Sequence, residues 1–128
     1  MTSSPNSEHV LLNSFFEILE SDSSPEKLIS LIKLNAAHEI YKGHFPGNPV
    51  TPGVVQIQIV KELLETNFKK ELKLKTMSRC KFLRVINPVE TPTLTVTIEI
   101  SIADNLVKVH ATGQQDENVY FKLSAVYQ

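Results

Sequence analysis

Tryptophan is absent from the 128-residue chain, and cysteine occurs once, as Cys80. A lone cysteine excludes an internal disulfide framework and any Cys-x-x-Cys metal site. Long apolar runs are missing as well, since nothing approaches the roughly 18 residues that a transmembrane helix needs. The polar opening from Met1 to Glu8 lacks the charged-then-apolar pattern of a secretory signal, so a cytoplasmic protein is expected. Net charge is nearly absent: 13 Lys and Arg stand against 14 Asp and Glu, for a formal −1. That balance gives no bulk attraction to nucleic acid or to an anionic membrane. What is present is ordinary for a globular protein, with 41% hydrophobic and 21% charged residues. We expect a flexible segment over residues 1–8 and a single domain over residues 9–128. A domain of this size closes one core only modestly, so further burial in an oligomer is a natural expectation.

Punctuation along the chain is clear. The apolar run Val10 to Leu19 contains no Gly or Pro, and the cluster Ser21-Asp22-Ser23-Ser24-Pro25 reads as a turn. Leu28 to Leu34 is compatible with a strand. Residues 43–53 then hold three of the four glycines and three of the seven prolines, a density that forbids helix or central strand. From Val54 to Phe68 the pattern changes: Val54, Ile57, Val60 and Leu64 recur at helical spacing. Thr51 followed by Pro52 predicts an N-cap with proline at the first helical position. Beyond that helix the chain is strand-like: Leu72–Val85 as one long bent strand, Leu94–Ile102 with period two, then Leu106–Thr112 and Val119–Tyr127. Two strands, an irregular loop, one long helix and four strands predict an α+β domain whose antiparallel sheet of five or six strands wraps the helix.

The segment Gly43-His44-Phe45-Pro46-Gly47-Asn48-Pro49-Val50-Thr51-Pro52-Gly53-Val54, with the helix after it, resembles the active-site segment of the (3R)-hydroxyacyl-acyl-carrier-protein dehydratases. The shared pattern is G-H-F-P-G-x-P-x-x-P-G-V. Close resemblance spans about residues 38–65, and resemblance in element order spans nearly all of residues 9–128. It implies the hot-dog fold, an acyl carrier protein as partner, and a homodimer or dimer-based assembly in which the site is shared between subunits. It implies no metal or organic cofactor.

Dehydrating a 3-hydroxyacyl thioester removes a proton from Cα and expels a hydroxide equivalent from Cβ. A neutral imidazole suits the first task near neutral pH. By the resemblance His44 is that base, and the backbone N–H of Gly53 at the helix start polarises the thioester carbonyl. Phe45, Pro52 and Val54 are expected to contact substrate. The family's helix acid falls fourteen residues after the histidine, which here is Gln58. A glutamine hydrogen-bonds to a hydroxyl but cannot protonate it. One turn later, where many of these dehydratases have glutamine, stands Glu62, on the same helix face. Three readings stay open: Glu62 supplies the proton, directly or through water or Gln58; His44 carries both protons; or the chain binds an acyl thioester without dehydrating it. A hot-dog thioesterase is a further alternative, and Gln58 could instead serve a hydrogen bond at a dimer interface.

Other chemistry-bearing residues read more plainly. His9, His38 and His110 are expected at the surface or packed on strands, without metal-ligand spacing. Cys80 reads as a small packed hydrophobe. The glycines need no phosphate, since the Lys-Ser/Thr ending of a phosphate loop is missing. Basic residues between Lys69 and Arg84 form a solvated face or steer an acidic carrier protein.

Overall fold

The computed structural model describes residues 9–43 and 47–128. The expectations placed on residues 1–8, and on His44 and Phe45, lie outside the described residues. The elements are β1 (Phe16–Ser24), β2 (Lys27–Leu34), α1 (Glu39–Lys42), α2 (Gly53–Phe68), β3 (Leu74–Phe82), β4 (Thr93–Ala103), β5 (Leu106–Gln115) and β6 (Asn118–Tyr127). All strands join one antiparallel six-stranded sheet in the order β1-β2-β4-β5-β6-β3. The long helix α2 sits between β2 and β3 in sequence while the sheet closes over it, which is the hot-dog arrangement.

Alternation in the strands decides which face meets the helix. Leu94, Val96, Ile98 and Ile100 of β4 are buried, as are Phe121, Leu123, Ala125 and Tyr127 of β6. Their shared face packs in one cluster with Val55, Ile59, Val60, Leu63 and Leu64 of α2. The opposite face carries exposed polar residues such as Glu99, Lys108, His110 and Lys122.

Three local expectations are corrected, and one short helix was not anticipated. The turn expected at 21–25 is the end of β1, where Ser21, Asp22, Ser23 and Ser24 pair with Ser30, Ile29, Leu28 and Lys27. Strand pairing uses the backbone and tolerates polar side chains on an exposed edge, so only Pro25 and Glu26 form the turn. Only Leu74–Phe82 of the expected 72–85 strand is paired, with two register irregularities that bend it along β6. A one-turn helix, α1, follows β2; the Nδ1 of His38 accepts the Ile40 N–H at 3.0 Å as its cap. The cap of α2 is Pro52, not Thr51: the Pro52 carbonyl accepts the N–H of Val55 (3.1 Å) and of Gln56 (3.2 Å), and no side chain caps the helix.

Candidate active site

The start of α2 is braced by a polar cluster. Thr51 is buried, and its hydroxyl lies 2.7 Å from the Tyr41 hydroxyl of α1. Its N–H donates to the Ile86 carbonyl (2.9 Å), and its carbonyl accepts the Gln56 Nε2 (3.1 Å). Thr51 is therefore committed on all sides, which is why its hydroxyl is not free to cap. Burial pushes the Tyr41 phenol up to about 12, with the Thr51 hydrogen bond acting in the opposite direction. The brace holds Pro52 and Gly53 in place, and Gly53, as the first residue of α2, directs its N–H off the helix end, where the macrodipole is positive. A Cβ on Gly53 would stand 2.7 Å from the half-exposed Phe82 ring, which would have to shift to admit it.

Along α2, Val54, Gln58, Glu62 and Glu65 follow one another at helical spacing and share one stripe. Its two halves differ. Val54 is exposed and Gln58 is half-buried, whereas Glu62 and Glu65 are 0% and 4% exposed. The chain segment before β1 lies over the second half as a strap. Oε1 of Glu62 accepts the N–H of Leu12 at 2.8 Å, and the Leu11 N–H lies 3.2 Å from both oxygens. Oε2 accepts the Nε2 of Gln58 at 2.8 Å. The two exchanged residues thus form a hydrogen-bonded pair, with the carboxylate on the buried side and the amide on the open side.

One turn further, the Nε2 of His9 lies 3.0 Å from Oε1 of Glu65, whose Oε2 accepts the Leu72 N–H at 2.8 Å. His9 is thus buried against a carboxylate, a correction to its expected surface or strand position. Burial pushes the Tyr127 phenol up to about 12, and the Glu65 charge adds to the shift. Cys80 is half-buried in β3, and desolvation raises its thiol. Among the described residues no group of three or more His, Cys, Asp and Glu is placed to hold a metal ion. No helix among them is long and apolar enough to cross a membrane.

Of the residues singled out in the sequence, Pro52, Gly53, Val54 and Gln58 come together on the open half of α2. Glu62 stands behind Gln58 and out of solvent. A reading in which Glu62 itself delivers a proton meets a carboxylate sealed by backbone N–H groups; its observed contact toward the open side is Gln58. Tyr41, Thr51, Gln56 and the strap at Leu11 and Leu12 were not anticipated as supports of the site. The available signal was polar residues within an apolar stretch, as at Gln56, because a buried amide must find partners.

A family model described as ApeI-like, ApeI dehydratase, matches residues 20–122. The chain is 34% identical over 103 residues to a 3-hydroxyacyl-acyl-carrier-protein dehydratase FabZ of Oenococcus oeni, an alignment covering 73% of this chain and 71% of that one. Among solved structures it is similar to the dehydratase heterocomplex ApeI:P from Xenorhabdus doucetiae, with a TM-score of 0.64 at 18% identity over 86% of this chain and 95% of that one. A putative thioesterase from Ralstonia eutropha is similar with a TM-score of 0.63 at 15% identity, over 94% and 89% of the two chains. Both structures share the fold.

Proposed function

The chain belongs to the ApeI-like dehydratase family, and from that premise we propose that it dehydrates 3-hydroxyacyl thioesters on acyl carrier protein to trans-2-enoyl thioesters, in fatty-acid or related lipid biosynthesis in the cytoplasm. The thioester carbonyl sits at the N-terminus of α2, where the Gly53 N–H stabilises the developing enolate. The His44 imidazole takes the Cα proton. As the Cβ–O bond breaks, the same imidazolium returns a proton to the departing hydroxyl, so water leaves and the base is regenerated. Phe45, Pro52 and Val54 flank the acyl group.

The observation that carries this single-base form is the Gln58–Glu62 pair. An amide stands at the acid position, its nitrogen bonded to a buried carboxylate at 2.8 Å. Neither partner presents a transferable proton to the open side, which leaves His44 to move both.

A second copy of the chain completes the site in this proposal. The sheet order leaves β3 paired on one side only, the half-exposed Phe82 ring lies beside Gly53, and the apolar Leu83 and Val54 that follow these two residues in the chain are exposed. The basic residues Lys75, Arg79 and Lys81 on the same strand are exposed and suit an acidic carrier protein.

The Gln58–Glu62 pair also favours a second reading, a subunit that holds the acyl thioester without dehydrating it. Mass spectrometry of a 3-hydroxyacyl carrier-protein thioester after incubation separates the readings. Loss of one water, abolished in His44→Ala, is the expected result. An unchanged thioester supports the holding subunit, release of free acid a thioesterase, and either overturns the dehydratase. Dehydration that survives His44→Ala overturns the assignment of the base.

A further inference from the structure

The hydrogen bonds around Glu62 determine which end of the Gln58 amide faces the open side of α2. We propose that Glu62 is a positioning residue that fixes Gln58 as a hydrogen-bond acceptor, so that the site selects acyl groups carrying a hydroxyl at C3. The proposal rests on the acyl-thioester reading above.

Among the described residues, every hydrogen bond to the Glu62 carboxylate comes from a nitrogen. Leu11 and Leu12 offer backbone N–H groups, which have no alternative polarity. The Gln58 amide has two ends, but turning its oxygen toward Oε2 at 2.8 Å would set two acceptors face to face. Its NH2 therefore points at Glu62, and its carbonyl oxygen is directed elsewhere on a half-buried residue of the uncovered half of the stripe. Among the described residues that oxygen has no donor. Burial of Glu62 at 0% exposure, under the strap, removes the water that could otherwise satisfy the carboxylate and release the amide.

A group that meets this oxygen must donate. A 3-hydroxyl does so; a 3-oxo group or a saturated C3 does not, and each would leave the carbonyl oxygen desolvated without a partner. The same geometry explains what a second carboxylate would do. In Gln58→Glu two carboxyl groups would stand at the separation now bridged by the amide, and close like charges share a proton. That variant gains a protonated carboxyl facing the acyl group and should dehydrate faster than the parent.

The test is calorimetric binding of three unreactive amide analogues of equal chain length, a 3-hydroxyacyl-, a 3-oxoacyl- and a saturated acyl-pantetheine. The parent protein should bind the 3-hydroxy analogue about three- to tenfold more tightly than the others, the range of one hydrogen bond. Gln58→Met should erase the preference, and the saturated analogue should bind more tightly than it does to the parent, because no carbonyl oxygen is then left without a donor. In Glu62→Gln the new amide can keep its oxygen for Leu11 and Leu12 and turn its NH2 to Gln58, which must flip. The 3-oxo analogue should then gain and bind about as tightly as the 3-hydroxy analogue, because an outward NH2 donates to a ketone and to a hydroxyl oxygen alike. A merely structural role for Glu62 would weaken all three ligands together. Equal binding of the three by the parent, or a Gln58→Met protein that keeps the preference, overturns this proposal alone. Failure of every analogue to bind overturns the acyl-thioester reading and the proposal with it.

Discussion

Replacing Glu62 with leucine isolates the role of its carboxylate in holding the strap. The substitution keeps a side chain of comparable size in a fully buried position and removes both acceptor oxygens. It strands the Leu11 N–H, which is buried, and the Leu12 N–H and Gln58 Nε2, which are part-buried. A buried donor left without a partner costs about 1–3 kcal/mol, and the part-buried ones recover some of this from water. Deleting a buried carboxylate also removes its desolvation penalty, which offsets part of the loss. The net expectation is a destabilisation of about 2–4 kcal/mol, a fall in Tm on the order of 10 °C for a domain of this size. Urea unfolding followed by circular dichroism measures the first quantity. Amide hydrogen exchange measures the local part, because the Leu11 and Leu12 amides should lose protection ahead of the β4 and β5 amides. A midpoint equivalent to the parent within about 0.5 kcal/mol, with Leu11 and Leu12 still protected, would refute the argument.

Two further predictions concern stability away from the strap. A Cβ at Gly113 would overlap the Phe121 ring, which is 1% exposed and has nowhere to move. Gly113→Ala should therefore lower stability by about 1–3 kcal/mol through overpacking, and an unchanged thermal midpoint would contradict it. Tyr41 and Tyr127, ordinarily near 10, are both pushed up to about 12 in the folded chain, so folding favours their neutral forms. That contribution is complete below pH 10 and is lost as pH rises toward 12, so the urea midpoint should fall steeply across this window. Tyr41→Phe should flatten the fall; a midpoint insensitive to pH in that range would show that neither phenol is held neutral by burial.

The fold was legible because its signals are local. Period two in Leu94–Ile102 and helical spacing from Val54 each state a burial pattern within a few residues, and the dense prolines and glycines of 43–53 leave no regular alternative. The misplaced boundaries came from the same source. Ser21 to Ser24 look like a turn by composition, but β2 supplies backbone partners that composition cannot register. Thr51 looks like a cap, but Tyr41 and Gln56 claim its hydroxyl and carbonyl from outside its own neighbourhood.

The sequence by itself determined the residue types at the proposed site: an imidazole at 44, a glycine opening the helix at 53, and an amide at 58 where the family it resembles has an acid. It also placed Gln58 and Glu62 on one helical face, because spacing of four residues is a property of the helix alone. Only the tertiary structure decided how that pair is held. Leu11 and Leu12 lie about fifty positions away in the chain, and only the packed strap brings their N–H groups onto Glu62, closes it from water and thereby turns the Gln58 amide one way round. Hydrogen-bond polarity at a buried carboxylate depends on who its neighbours are in space, and sequence order carries no record of that.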